Sequence, residues 1–309
     1  MIKMDARWGL LGVPSSAGAH TPGLEKGPAA IREAGLPGLL SGGVQDHGDL
    51  PPVRWRPDRD RPDAKNVAAV ARVAAATALG VTRILDSGQT PLVIGGDCSI
   101  TVGVVAGFVQ RGVRPALLYV DGGPDLYTPE TRPNGNLDAM GLAHLLAIPG
   151  HVPMLAGIAG TTPLLSPRDV VAYAHALPPG DLELRLLDEL GITHLHADEV
   201  HADPSGAAGR ARREIEALGA PFVLHCDVDV LSFVDVPLAD VPDSGGDPVG
   251  LRLAELAVSL AVFAASPRFA GLVLTEVNPD HAPDPGVLRH FLAVLAGALA
   301  GPVGARPDR

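Results

Sequence analysis

Cysteine is scarce: Cys98 and Cys226 are the only two in 309 residues. Two thiols cannot build a disulfide framework, and so few of them suit a reducing, cytoplasmic setting. Positive charge is also short. Lys and Arg total 24 against 35 Asp and Glu, which leaves a net charge of −11. That balance argues against nucleic acid as the main partner, because phosphate binding needs a basic surface. Apolar runs are broken by Gly, Pro or charge short of the roughly 18 residues a membrane helix needs, so no membrane span is expected. Near the N-terminus Lys3, Asp5 and Arg7 are not followed by a leader-type apolar stretch, and no secretory leader is expected. What the chain does have is apolar mass. Hydrophobic residues are 46% and charged residues 19% of the total, enough for a sizeable core.

The order of elements points to one architecture. Buried-strand patterns occur at 8–13, 91–94, 116–120, 154–158, 193–196, 222–225 and 271–274. Helical spacing occurs at 27–34, 66–87, 137–147, 181–190, 207–218, 249–265 and 285–300, with Asn66 a candidate cap. The Pro- and Arg-rich stretch 51–63 is a surface loop. Strands alternating with helices predict a single three-layer α/β/α domain over residues 1–309 with a mainly parallel central sheet.

Four of the strands end on polar residues: Gly95-Gly96-Asp97-Cys98, Val120-Asp121, Cys226-Asp227-Val228-Asp229 and Leu274-Thr275-Glu276. Ligands of open parallel sheets bind outside the carboxyl ends of the strands. That geometry places Asp97, Cys98, Asp121, Asp125, Asp227, Asp229 and Glu276 along one edge. Alternation would turn Asp227 and Asp229 to the same face. So many carboxylates at close range raise one another's pKa, and a divalent cation is the usual way to offset them. His194, His196 and His201, beside Asp198 and Glu199, look like a second metal site but fall at a different connection. They are read as surface or helix-entry histidines.

These motifs resemble the arginase branch of the ureohydrolases, the binuclear-manganese amidine hydrolases. Gly95-Gly96-Asp97-Cys98-Ser99 is similar to the family's GGDHS, Asp121-Gly122-Gly123-Pro124-Asp125 to DAHxD, and Asp227-Val228-Asp229 to DVDxxDP. Gly135-Asn136-Leu137-Asp138 is similar to GNLH, and Thr275-Glu276-Val277-Asn278-Pro279 to the strand carrying the guanidinium-binding Glu. The resemblance implies a single arginase-like domain and a small guanidino substrate. It implies metal ligands Cys98, Asp121, Asp125, Asp227 and Asp229, catalytic roles for Asp125, Glu276 and Asp138, and a trimer or hexamer. Thr131, Asn134 and Asn136 fall in its substrate loop. Thr162 falls where an acid contacting the substrate amino group is expected.

The departures are specific. Cys98 and Gly123 replace two histidine ligands, Ser232-Phe233 replaces the last Asp-Pro, and Asp138 replaces a proton-shuttling His. Thiolate is softer than imidazole, so Zn2+ or Fe2+ becomes an option beside two Mn2+, with the second position weakened by Gly123. The space at Gly123 suits a modified guanidine. Together these features resemble arginase-like enzymes of specialised (antibiotic) metabolism that convert Nω-hydroxy-L-arginine to hydroxyurea and L-ornithine. Other guanidino compounds (arginine, agmatine, guanidinobutyrate or a larger metabolite) and an inactive arginase-like scaffold with partial metal binding are the alternatives.

Overall fold

The computed structural model describes residues 7–132, 134–239 and 250–300. The leader reading, which rests on Lys3 and Asp5, and the 249 start of one expected helix lie outside the described residues. Eight strands, β1 (Trp8–Val13), β2 (Val44–Asp49), β3 (Thr90–Gly95), β4 (Ala116–Val120), β5 (Val170–His175), β6 (Thr193–His196), β7 (Phe222–Asp227) and β8 (Phe269–Thr275), form one sheet. Their order is β2-β1-β3-β8-β7-β4-β5-β6, and every pairing is parallel. The expected "mainly parallel" sheet is thus entirely parallel.

Helices cover both faces. They are α1 (Gly27–Glu33), α2 (Leu36–Leu39), α3 (Val67–Asp86), α4 (Ile100–Gln110), α5 (Gly141–Leu146), α6 (Pro153–Ala156), α7 (Leu182–Leu190), α8 (Ala197–Ala202), α9 (Pro204–Ala217), α10 (Leu253–Ala264) and α11 (Pro285–Leu299). Because side chains alternate along a strand, each strand feeds two cores. Leu92, Leu118, Leu224 and Leu272 pack toward α1, α2, α9, α10 and α11. Val93, Leu117, Val223 and Val273 pack toward α3, α4 and α5. Each fully buried side chain of this kind contributes about 1.5–3 kcal/mol.

Several expectations are corrected. Residues 154–158 are not a strand. Pro153 fixes the first helical φ, and Pro153–Ala156 makes one short helix. Helix α3 is long and apolar enough to cross a membrane by length and composition, although Arg72 and Arg83 interrupt its apolar run. Here Val70, Ala74, Thr77, Val81 and Ile84 bury one of its faces in the core. Asn66 precedes α3 in a left-handed conformation and does not cap it. Its Nδ2 donates to the Arg56 carbonyl instead. Strand β5 had no alternation to betray it, since all six of its residues are buried.

The four central strands β3, β8, β7 and β4 are neighbours in space but far apart in sequence. Their carboxyl ends carry the acidic motifs.

Candidate active site

Two strands set the floor of the site. Tyr119 on β4 and His225 on β7 are register partners, and their rings stack at 4.0 Å and 6°. Two residues further on, Asp121 and Asp227 emerge on the same face. Cys98 arrives from the loop after β3 and lies 2.5 Å (Sγ) from Asp227 Oδ2 and 4.0 Å from Asp121 Oδ2. That loop is pinned where Gly96 passes the Ser15 carbonyl, in a space that any Cβ would fill. His225 Nε2 lies 3.2 Å from Asp121 Oδ2 and 3.7 Å from Cys98 Sγ. The donor atoms of Cys98, Asp121, His225 and Asp227 all lie within 4.8 Å of one another, and all four residues are buried.

Asp97 is not part of this group, contrary to expectation. Its carboxylate turns back to accept from the Gly18 amide at 3.0 Å and the Ser99 amide at 3.2 Å. Its work is to hold the loop that presents Cys98. Asp229 does not reach the site by strand alternation either. β7 ends at Asp227, and a 3-10 turn (Val228–Val230) swings Asp229 round until Oδ1 accepts from the Gly122 amide at 3.0 Å. Asp125 stands outside the four-donor group. Its φ is 52°, and its Oδ2 accepts from the Tyr119 hydroxyl at 2.5 Å.

Burial and crowding decide the electrostatics. Asp121, Asp125 and Asp227 are held well above the usual carboxylate range, first by burial and then by neighbouring carboxylates, led by Asp229 at Asp121 and Asp227 and by Glu183 at Asp125. Burial and the surrounding carboxylates likewise push the Cys98 thiol up. Burial lowers His225 to about 3, so its imidazole is neutral. Two like charges 4 Å apart repel by about 4 kcal/mol at an effective dielectric of 20. No lysine or arginine among the described residues pairs with Asp121, Asp125, Asp227 or Asp229. Full ionisation of the set therefore calls for a cation, and sulfur, imidazole and carboxylate donors suit a divalent transition metal.

The cluster forms the floor of a pocket of about 190 Å³, whose walls include Gly123, Asp125, Asp138, Glu183 and Glu276. Glu276 follows β8 in a left-handed conformation (φ 62°), anchored by its amide on the Gly96 carbonyl. Asp138 opens a 3-10 turn, Asp138–Met140. A Cβ at Gly123 would meet only Glu183 Oε2, at 3.7 Å.

Glu183, on the first turn of α7, was missed from sequence. Its Oε1 accepts from the Leu126 amide, and burial raises its carboxyl to about 8. Arg132, also missed, has its guanidinium 4.8 Å from the Tyr127 ring centre and lines the pocket.

The remaining expected substrate residues are not on the pocket wall. Thr131 Oγ1 accepts from the Thr128 amide, and Asn134 Oδ1 from the Asn136 amide, so both brace the loop. Asn136 is buried behind it, 5% exposed. Thr162 is on an exposed turn, its hydroxyl donating to the Ala156 carbonyl. It does not line the pocket, whose acids include Glu183.

An all-parallel sheet whose central strands deliver these donors beneath an acid-lined pocket fits the class of hydrolases of amidine or guanidino groups. The Arginase family model matches residues 6–299. Arginase from Bacillus subtilis is 32% identical over 286 residues, covering 90% of this chain and 93% of that protein. Arginase-1 of Rattus norvegicus is 31% identical over 286 residues, with 87% and 84% covered. The native structure of arginase from Bacillus caldovelox superposes with a TM-score of 0.86 at 26% identity, covering 96% of this chain and 99% of that one. The chain belongs to the arginase family. That family depends on a binuclear metal centre, usually of Mn2+, and acts on small guanidino substrates.

Proposed function

We propose that the protein hydrolyses the guanidino C–N bond of Nω-hydroxy-L-arginine, giving hydroxyurea and L-ornithine. The observation that carries this reading is the bare wall at Gly123. Beside the carboxylate floor, where a side chain would meet nothing nearer than Glu183 Oε2 at 3.7 Å, there is room for one extra oxygen on the guanidine. Arg132, whose guanidinium also lines the pocket, suits the carboxylate of an α-amino acid.

Cys98, Asp121, Asp125, Asp227 and Asp229 would hold the metal, two Mn2+ ions or Zn2+ or Fe2+ at the sulfur side, with the position next to Gly123 weaker. Bound metal supplies Lewis acidity and lowers the pKa of water. The other contributions come from the chain itself. Glu276 pairs with the guanidinium and fixes the trigonal carbon over the floor. Asp125, one oxygen held by Tyr119 OH, keeps the other for the proton of the attacking water. Asp138 passes a proton to the departing amine, and Thr131, Asn134 and Asn136 shape the loop that holds the amino-acid end. A cytoplasmic location goes with two buried free cysteines, and a trimeric or hexameric assembly goes with the family.

The test is ornithine release from a panel of guanidines by metal-loaded protein. Nω-hydroxy-L-arginine should exceed L-arginine in kcat/KM by at least about tenfold, the scale a fitted pocket group provides. Faster turnover of arginine or agmatine overturns the substrate. No release from any guanidine overturns the activity.

A further inference from the structure

We propose that His225 is a metal ligand, completing with Cys98, Asp121 and Asp227 a four-donor site for a single tightly held Zn2+- or Fe2+-class ion. This rests on the reading of the pocket as metal-dependent and goes beyond it in ligand and metal class. No motif flagged His225. It sits inside a buried strand, two residues before Asp227 and on the same face.

Spacing is the first argument. Donors around a tetrahedral ion with bonds of about 2.0–2.3 Å stand roughly 3.3–3.8 Å apart. His225 Nε2 is 3.2 Å from Asp121 Oδ2 and 3.7 Å from Cys98 Sγ, and Cys98 Sγ is 4.0 Å from Asp121 Oδ2. The 2.5 Å approach of Cys98 Sγ to Asp227 Oδ2 must open for an ion to enter.

Orientation is the second. His225 Nδ1 is 2.8 Å from Thr101 Oγ1, and the stacked Tyr119 ring fixes the imidazole plane. Ligating histidines are held by a partner on the far nitrogen in this way, which aims the other lone pair at the metal. With Nδ1–H donated to Thr101, the Nε2 lone pair faces the thiol and the carboxylates.

The third is the asymmetry of the pocket. The sulfur side holds thiol, imidazole and two carboxylates in mutual reach. On the Gly123 side, Asp229 is tied to the Gly122 amide and Asp125 to Tyr119, and position 123 offers no donor. An ion at the first place gains four protein ligands, one of them soft, and the second place is correspondingly weak.

The experiment strips the purified full-length protein of metal and titrates it with CoCl2 and, in competition, ZnCl2 and MnCl2. One tight equivalent of Co2+ should appear, with a thiolate-to-cobalt charge-transfer band and the intense d–d bands of a tetrahedral ion. Cys98→Ser should abolish the charge-transfer band. His225→Gln should weaken Zn2+ binding by at least about tenfold, and Thr101→Val, which leaves Nδ1 without its partner, by a smaller factor.

A wild-type protein without the band overturns the proposal. So does His225→Gln with unchanged Zn2+ affinity and a native circular-dichroism spectrum. If His225→Gln does not fold, the Thr101→Val titration decides in its place, and an unchanged affinity there overturns the proposal. One Co2+ bound through Cys98 and His225 without guanidine hydrolysis would overturn the functional reading alone. Hydrolysis with two Mn2+ and no thiolate band would overturn this site alone.

Discussion

At the carboxyl ends of β3, β4 and β7, the donors of Cys98, Asp121, His225 and Asp227 point to one spot. At the ends of β5 and β6, His175, His194 and Asp188 run instead as a chain, with His175 Nε2 3.0 Å from His194 Nδ1 and His194 Nε2 3.2 Å from Asp188 Oδ1. His196 meets the His175 ring at 5.2 Å and 82°, while its Nδ1 accepts from the Asp198 amide as the cap of α8. The β5–β6 group is richer in histidine, yet His175 Nε2, both His194 nitrogens and His196 Nδ1 are spent on one another, on Asp188 and on a helix end, and Asp188 is mostly exposed. Convergence of donors in a dry place, not the residue types alone, separates a metal centre from a hydrogen-bonded histidine cluster.

The sharpest break of that comparison is at the carboxylate floor of the first group. Asp227→Ala should lose bound metal and reduce guanidine hydrolysis below detection, measured by elemental analysis beside ornithine release. His194→Ala, in the other group, should leave both unchanged. Retained metal in the first, or lost metal in the second, would erase the distinction.

Next is the weak side of the centre. Gly123→His places an imidazole at a position where a Cβ meets only Glu183 Oε2, at 3.7 Å. It should raise Mn2+ retention toward two ions per chain and reduce the preference for Nω-hydroxy-L-arginine over L-arginine severalfold, since the extra space is filled.

The smallest effect belongs to the histidine chain. Burial first, then His194 and His196, lower His175 from 6.5 to about 4. The folded protein thus keeps His175 neutral where an unfolded chain would take up a proton. The stability this gives is complete above about pH 6.5 and is lost as pH falls toward 4. The melting temperature of the wild type should therefore fall by roughly 2–4 °C more than that of His175→Gln between pH 7 and pH 5. Parallel slopes would show that His175 carries no such linkage.

The same two regions mark what was legible in the sequence. The alternation of strands and helices and the polar residues after β3, β4, β7 and β8 were readable, because strand ends in a parallel sheet converge whatever the loop lengths. His194, His196 and His201 were visible as a run, and their separation from the acids followed from the connection they occupy. His225 was hidden because 222–225 read as a plain apolar strand. The available signal was its two-residue offset from Asp227, and its partners Thr101 and Tyr119 come from other elements. Glu183 and Arg132 were invisible for a similar reason: α7 and the 126–140 loop meet only in the folded pocket. The strand expected at 154–158 was misjudged because Pro153 starts the short helix α6 there.

Anomalous X-ray scattering from crystals of the protein loaded with Zn2+ tests the centre most directly. The account predicts one strong peak within bonding distance of Cys98 Sγ, His225 Nε2, Asp121 and Asp227, with little or none beside Gly123. A peak away from His225 and Cys98, or two peaks of equal strength, would contradict it.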